Sequence, residues 1–141
     1  GNNTYCYSNY FLCMNGYVLN IEKETEENTD YRRVLYTTKH SQLVLMSIEA
    51  GDEIGEETHT LDQFIRFEMG EGKVIIDGKE HAVEADWAVV IPAGARHNVI
   101  NTGSTLLKLY SIYTPPEHKH GTVHPTKAGE KEEHFDGEVS E

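Results

Sequence analysis

The sequence predicts an all-β fold, a single sandwich or barrel, and three observations predict it. Short β-rich runs recur over residues 33–38, 42–48, 63–69, 74–77, 81–83, 87–91, 98–101 and 106–114, with Gly, Asp and Pro between them. Asp77-Gly78 stands between Val74-Ile75-Ile76 and Lys79-Glu80-His81-Ala82-Val83. That dipeptide is a strong two-residue hairpin signal, because a type I′ turn needs positive φ at both central positions. Finally, 141 residues with 38% hydrophobic content can fill one small core but not two.

Taken in chain order, residues 1–13 are rich in Asn and Tyr and lack periodicity. Residues 1–16 are therefore read as a leader or tag-derived extension, with Met14 a candidate natural start. The loose alternation of Tyr5, Tyr7, Tyr10 and Phe11 leaves an edge strand open as the alternative. Residues 17–21 form a short apolar run, expected to add a strand at the N-terminal side, and the acidic stretch 22–30 reads as one helical turn or a loop. In the run from Gln63, alternation places Ile65, Phe67 and Met69 on the face of Gln63. Residues 106–113 are apolar apart from Lys108 and Ser111, which predicts a strand at the centre of a sheet, and Pro115-Pro116 stops it. Beyond it, Glu130, Glu132, Glu133, Asp136, Glu138 and Glu141 make an acidic segment without apolar periodicity, expected to be a flexible tail. The domain organisation is thus an extension over 1–16, a barrel over 17–116 and a polar acidic tail over 117–141.

Charge narrows the function. Twelve Lys and Arg against 24 Asp and Glu leave a formal net charge of −12, a surface that repels phosphate backbones and anionic lipid headgroups. Neither nucleic acid nor a membrane is expected as partner; a small molecule is. No apolar run reaches the length of a membrane span and the start carries no secretory signal pattern, so the expected location is cytoplasmic. Cys6 and Cys13 both precede the β-rich region, which argues against a disulfide scaffold and against a cysteine nucleophile in the domain.

Two segments concentrate the chemistry. In the first, Glu57 and His59 are two apart and face one side of an extended strand, with Gln63 four residues on. In the second, His97 follows the turn Pro92-Ala93-Gly94 and shares its strand face with Val99 and Asn101. If these strands close one small barrel, the four polar tips converge on an apolar interior. Two imidazoles, a carboxylate and an amide with positions left open suit a divalent first-row metal.

Here the sequence resembles the cupins. Their first motif runs Gly, five residues, His-x-His, three or four residues, Glu, six residues, Gly; Gly51, Glu57, His59, Gln63 and Gly70 keep every interval. Their second motif runs Gly, five residues, Pro-x-Gly, two residues, His, three residues, Asn; Pro92, Gly94, His97 and Asn101 keep these too. The resemblance covers roughly residues 34–114 and is similar in detail to small single-domain cupins of the kind labelled as related to mannose-6-phosphate isomerase. It implies a double-stranded β-helix, or jelly-roll barrel, with one divalent transition metal (Zn, Mn, Fe, Ni or Co) held by Glu57, His59, His97 and, more weakly, Gln63. It further implies a homodimer through edge strands, for which residues 17–21 are the expected donor. Three positions depart from the pattern: Glu57 replaces a histidine, Gln63 a glutamate and Asp86 a glycine. The first two exchange a charge between positions, so the set still carries one formal negative charge.

Other residues carry plainer readings. His40 and His81 are read as surface histidines, and His118, His120 and His124 as solvated or lid-forming. Gly70-Glu71-Gly72 is rejected as a phosphate loop because it joins two strands. Arg96 points away from the metal face, and Arg96, Lys39, Arg66 and Lys108 are the only cations expected near the pocket, a thin supply for a phosphosugar. Met46, Ile65, Phe67 and Val99 are expected to line it. Three functions remain open: an isomerase or epimerase of a small oxygenated, sugar-like substrate, with Glu57, His59 and His97 as catalytic centre; a dioxygenase using Fe, Mn or Ni; or a non-catalytic binding or storage module.

Overall fold

A computed structural model describes residues 14–141; the Tyr5–Phe11 alternation and both cysteines lie outside the described residues. One helix, α1 (Ile21–Glu27), precedes ten strands: β1 (Arg32–Thr37), β2 (Gln42–Ile48), β3 (Glu57–Thr58), β4 (Asp62–Met69), β5 (Glu71–Ile76), β6 (Lys79–Glu84), β7 (Ala88–Ile91), β8 (Arg96–Asn101), β9 (Leu107–Thr114) and β10 (Val123–His124). They form a six-stranded sheet of order β10-β1-β2-β9-β4-β7 and a four-stranded sheet of order β3-β8-β5-β6, with every pairing antiparallel.

The inner faces of the two sheets make one core. Val44, Met46 and Ile48 of β2, Ile65 and Phe67 of β4, and Leu107 and Leu109 of β9 meet Val74 of β5 and Val99 of β8. β9 runs between β2 and β4, which explains its nearly continuous apolar text: a central strand is covered on both edges and, here, largely on both faces. The hairpin from β5 to β6 turns at Asp77 (φ 47°) and Gly78 (φ 82°), both in the left-handed region that a type I′ turn requires. Asp86 takes φ 75°, the backbone that a glycine would supply at that motif position and that Asp tolerates better than most residues.

Three expectations are corrected. Residues 17–20 form no strand; Ile21 opens α1 instead. The Asn20 side chain accepts from the Lys23 amide at 3.1 Å and Glu22 and Glu24 occupy the first turn, so capping and dipole terms favour the helix. The segment expected to donate a strand to a dimer is thus not a strand in the single chain. Met69 leaves the face of Gln63: the pairing of β4 with β9 shifts register between Phe67 and Met69, which turns Glu68 inward and leaves Met69 43% exposed.

The segment 117–141 is not a free tail. β10 pairs with β1, the Phe135 amide donates to Glu117 at 2.9 Å and the Ser140 amide donates to Thr37 at 2.8 Å. Its anchors are backbone and polar side-chain hydrogen bonds, which leave no apolar period in the sequence.

Candidate metal centre

β3 and β8 are antiparallel neighbours with Glu57 opposite His97, so the register of one short pairing sets the two side chains together. His59 follows one residue beyond β3 and returns to the same face. The Glu57 carboxylate lies 3.3 Å from His59 Nε2 and 4.0 Å from His97 Nε2, and one potential ligand atom from each of the three lies within 4.8 Å of the other two. The imidazole rings meet edge to face, 4.9 Å between centroids.

The surroundings orient these groups. His97 is buried, and its Nδ1 lies 3.0 Å from the Ala95 carbonyl oxygen; donating there leaves the Nε2 lone pair directed at the cluster, where it has no hydrogen-bond partner. Burial opposes charging of Glu57 most strongly. The hydrogen bond and charge of His59, followed by Arg32 and His97, outweigh it and hold the carboxyl below its usual range. Burial likewise disfavours protonated His59, yet the Glu57 hydrogen bond and charge lift its pKa above the ordinary histidine value. An anionic carboxylate beside two imidazoles, one of them with an unfilled inward lone pair, fits a first-row divalent ion.

Gln63 is buried in the wall of this site. Its amide nitrogen donates to Ser111 Oγ at 3.1 Å and to Tyr113 Oη at 3.3 Å, while Oε1 has no hydrogen-bond partner. His59 Nδ1 is also buried without one, and the Gln63 side chain is among the groups that raise the His59 pKa. Gln63 thus has one oxygen to offer, to a metal or to His59.

Above the cluster opens a cavity of about 450 Å³, whose lining includes Arg32, Glu57, Thr58, His59, Glu117, His118 and residues 130–134. Its wall corrects two expectations. Met46, Ile65, Phe67 and Val99 belong to the closed core and do not line it. Nor do the anticipated cations: Arg96 pairs with Glu56 at 3.0 Å, Arg66 with Glu68 and Asp86, the Lys108 ammonium donates to the Glu26 carbonyl, and Lys39 is exposed elsewhere. The cations of the lining are Arg32 and Lys131. Arg32 begins β1 on the inward phase while Arg33 faces out, an alternation readable only once the strand start is known.

His118, read as solvated or lid-forming, lines the cavity. Its ring packs edge to face on Tyr113, 5.1 Å between centroids, and Nε2 is buried without a partner. Burial, reinforced by the charge of Arg32, lowers its pKa to about 2, so His118 is neutral. Burial keeps the Tyr113 phenol protonated well above the ordinary range. His40 and His81 are exposed, as read. Among the described residues, no helix is long and apolar enough to cross a membrane.

Two antiparallel sheets closed around one core, with imidazoles and a carboxylate gathered at one end, define a small β-barrel built to present polar ligands. The chain belongs to the cupin family: the cupin domain matches residues 44–113. It is 51% identical over 119 residues to the uncharacterized protein YrkC of Bacillus subtilis (strain 168), covering 79% of this chain and 64% of that protein, and so spans less than two thirds of that relative. The uncharacterized protein L612 of Acanthamoeba polyphaga mimivirus is 42% identical over 113 residues, covering 76% and 70%. The crystal structure of BH2720 from Bacillus halodurans is 52% identical and superposes with a TM-score of 0.78 over 79% of this chain and 90% of that one.

Proposed function

We propose that the chain is a metal-dependent isomerase or epimerase of a small, oxygen-rich substrate, with Glu57, His59 and His97 as protein ligands. The observation that carries this reading is the convergence of those three side chains, beneath a cavity lined by charged and polar residues. A divalent ion bound there would polarise a substrate carbonyl and stabilise negative charge developing on its oxygen.

The chain's own groups supply the rest. Glu57, held anionic, keeps both imidazoles in place and is committed to the metal, so the proton must move elsewhere. His118 lines the cavity as a neutral base with an unpartnered Nε2. Its basicity is held down by burial and by Arg32, and negative charge developing on the substrate offsets both. Residues 130–134 line the cavity beside these groups and contribute further polar contacts to a substrate.

A second reading, an oxygenase, is favoured by one feature: two histidines and one carboxylate are the ligand set of many non-haem iron oxygenases. Elemental analysis of the purified chain comes first. Protein loaded with manganese or zinc is then incubated in D₂O with small aldoses and ketoses, and proton NMR follows loss of the signal beside the carbonyl. Metal-dependent exchange that His118→Gln abolishes supports isomerisation. Oxygen uptake by iron-loaded protein without exchange supports the oxygenase, and absence of bound metal rejects both.

A further inference from the structure

One buried cation in the cavity wall has no part in holding the metal. Arg32 is 3% exposed, yet one of its nitrogens, Nε, is buried without a hydrogen-bond partner. A guanidinium withdrawn from water with a donor unfilled is costly, and a bound anion is one partner that would complete it. Its other neighbours are few: the Glu130 carboxylate at 2.5 Å from Nη1, His124 Nδ1 at 3.4 Å, and the Tyr31 ring, 5.2 Å from the guanidinium carbon.

Glu130 comes from a stretch without helix or strand. The stretch is held by single polar ties and not by a ladder: the Glu130 amide donates to the Lys127 carbonyl at 3.0 Å, Lys131 N to His124 Nε2 at 3.3 Å, and His118 bridges His134. A carboxylate on such a stretch, reaching into the cavity to contact a cation through one oxygen, has the form of an internal stand-in for a ligand.

We propose that Arg32 anchors a carboxylate of the substrate, and that Glu130 occupies this anchor until the substrate displaces it. The inference deepens the proposed function by naming the substrate class: a small hydroxy or oxo acid whose carboxylate takes Arg32 while its oxygen-bearing carbon lies toward Glu57, His59 and His97. A monoanionic carboxylate fits better than phosphate, because Glu57, Glu117, Glu132 and Glu133 also line the cavity and repel a second negative charge. Planar carboxylate geometry also lets one group fill two guanidinium donors, including the one now empty.

The test is binding of ¹³C-labelled glycolate to the full chain, followed by NMR, with inorganic phosphate as the competing probe. Glu130→Gln removes the stand-in and is expected to tighten glycolate at least tenfold, with phosphate remaining the weaker ligand. Adding Arg32→Met to that variant is expected to return binding to background, and Arg32→Lys to keep part of it. Unchanged affinity in Glu130→Gln overturns the proposal, and so does glycolate binding that survives loss of Arg32. Tighter phosphate than glycolate overturns the carboxylate assignment. The titration is run on metal-free and zinc-loaded protein, with circular dichroism confirming each fold. An Arg32-dependent effect in metal-free protein stands even if zinc does not bind, so this inference and the metal reading fail separately.

Discussion

Replacing Gln63 by Glu restores the carboxylate that the cupin pattern places there, and the structure says what this costs and gains. The Gln63 side chain is 3% exposed, and its amide nitrogen faces two hydroxyls, Ser111 and Tyr113, which can reverse their roles and donate to a carboxylate. In metal-free protein the new carboxyl is buried, and burial opposes its ionisation. A rise of about 2 pKa units corresponds to about 3 kcal/mol of stability lost near neutral pH. With a divalent ion bound, the added negative charge becomes favourable, and affinity should rise by roughly ten- to a hundredfold if Oε1 contacts the ion. Urea unfolding of metal-free protein reads the first effect; calorimetric titration with manganese and zinc reads the second. A folded Gln63→Glu variant with equal or weaker metal affinity rejects direct ligation and leaves Glu57, His59 and His97 as the protein ligand set. Unchanged metal-free stability would refute the buried-charge reasoning.

Three further outcomes are expected. His97→Ala should lose most of its metal content, by elemental analysis, while its far-ultraviolet dichroism stays that of a β protein, because the core is built from aliphatic side chains elsewhere. Gly72→Ala should destabilise by about 1–3 kcal/mol in urea unfolding, because a Cβ there falls 2.4 Å from the Ile100 carbonyl oxygen across the β5–β8 pairing; a neutral effect would show that the strands can part cheaply. Metal-free protein should lose stability as pH falls below about 6.5, since His118 has its pKa lowered to about 2 and its proton is taken up mainly on unfolding. The slope reaches about 1.4 kcal/mol per pH unit for one such group. His124, also lowered, adds in the same sense, whereas His59, raised, contributes stability that is lost as pH rises through its folded pKa. His118→Gln should flatten the acid-side slope, and an unchanged slope would remove His118 as its source.

The strand text was legible because alternation and turn chemistry are local. The Asp77-Gly78 turn, the central position of β9 and the inward phase of His97, Val99 and Asn101 all follow from a few neighbouring residues and are found as read. The interval pattern likewise brought forward Glu57, His59 and His97, since residues held at fixed offsets from turns on paired strands must converge. Local text could not show the bulge that exposes Met69, because register is decided between strands. It could not show Arg32 as a cavity residue, because the phase of β1 depends on where its pairing with β2 and β10 begins. Nor could it show that residues 117–141 pair with β1 and supply part of the cavity lining. An acidic segment held by backbone hydrogen bonds and by carboxylates on distant cations has no periodicity to read, and its partners exist only once the sheets are assembled.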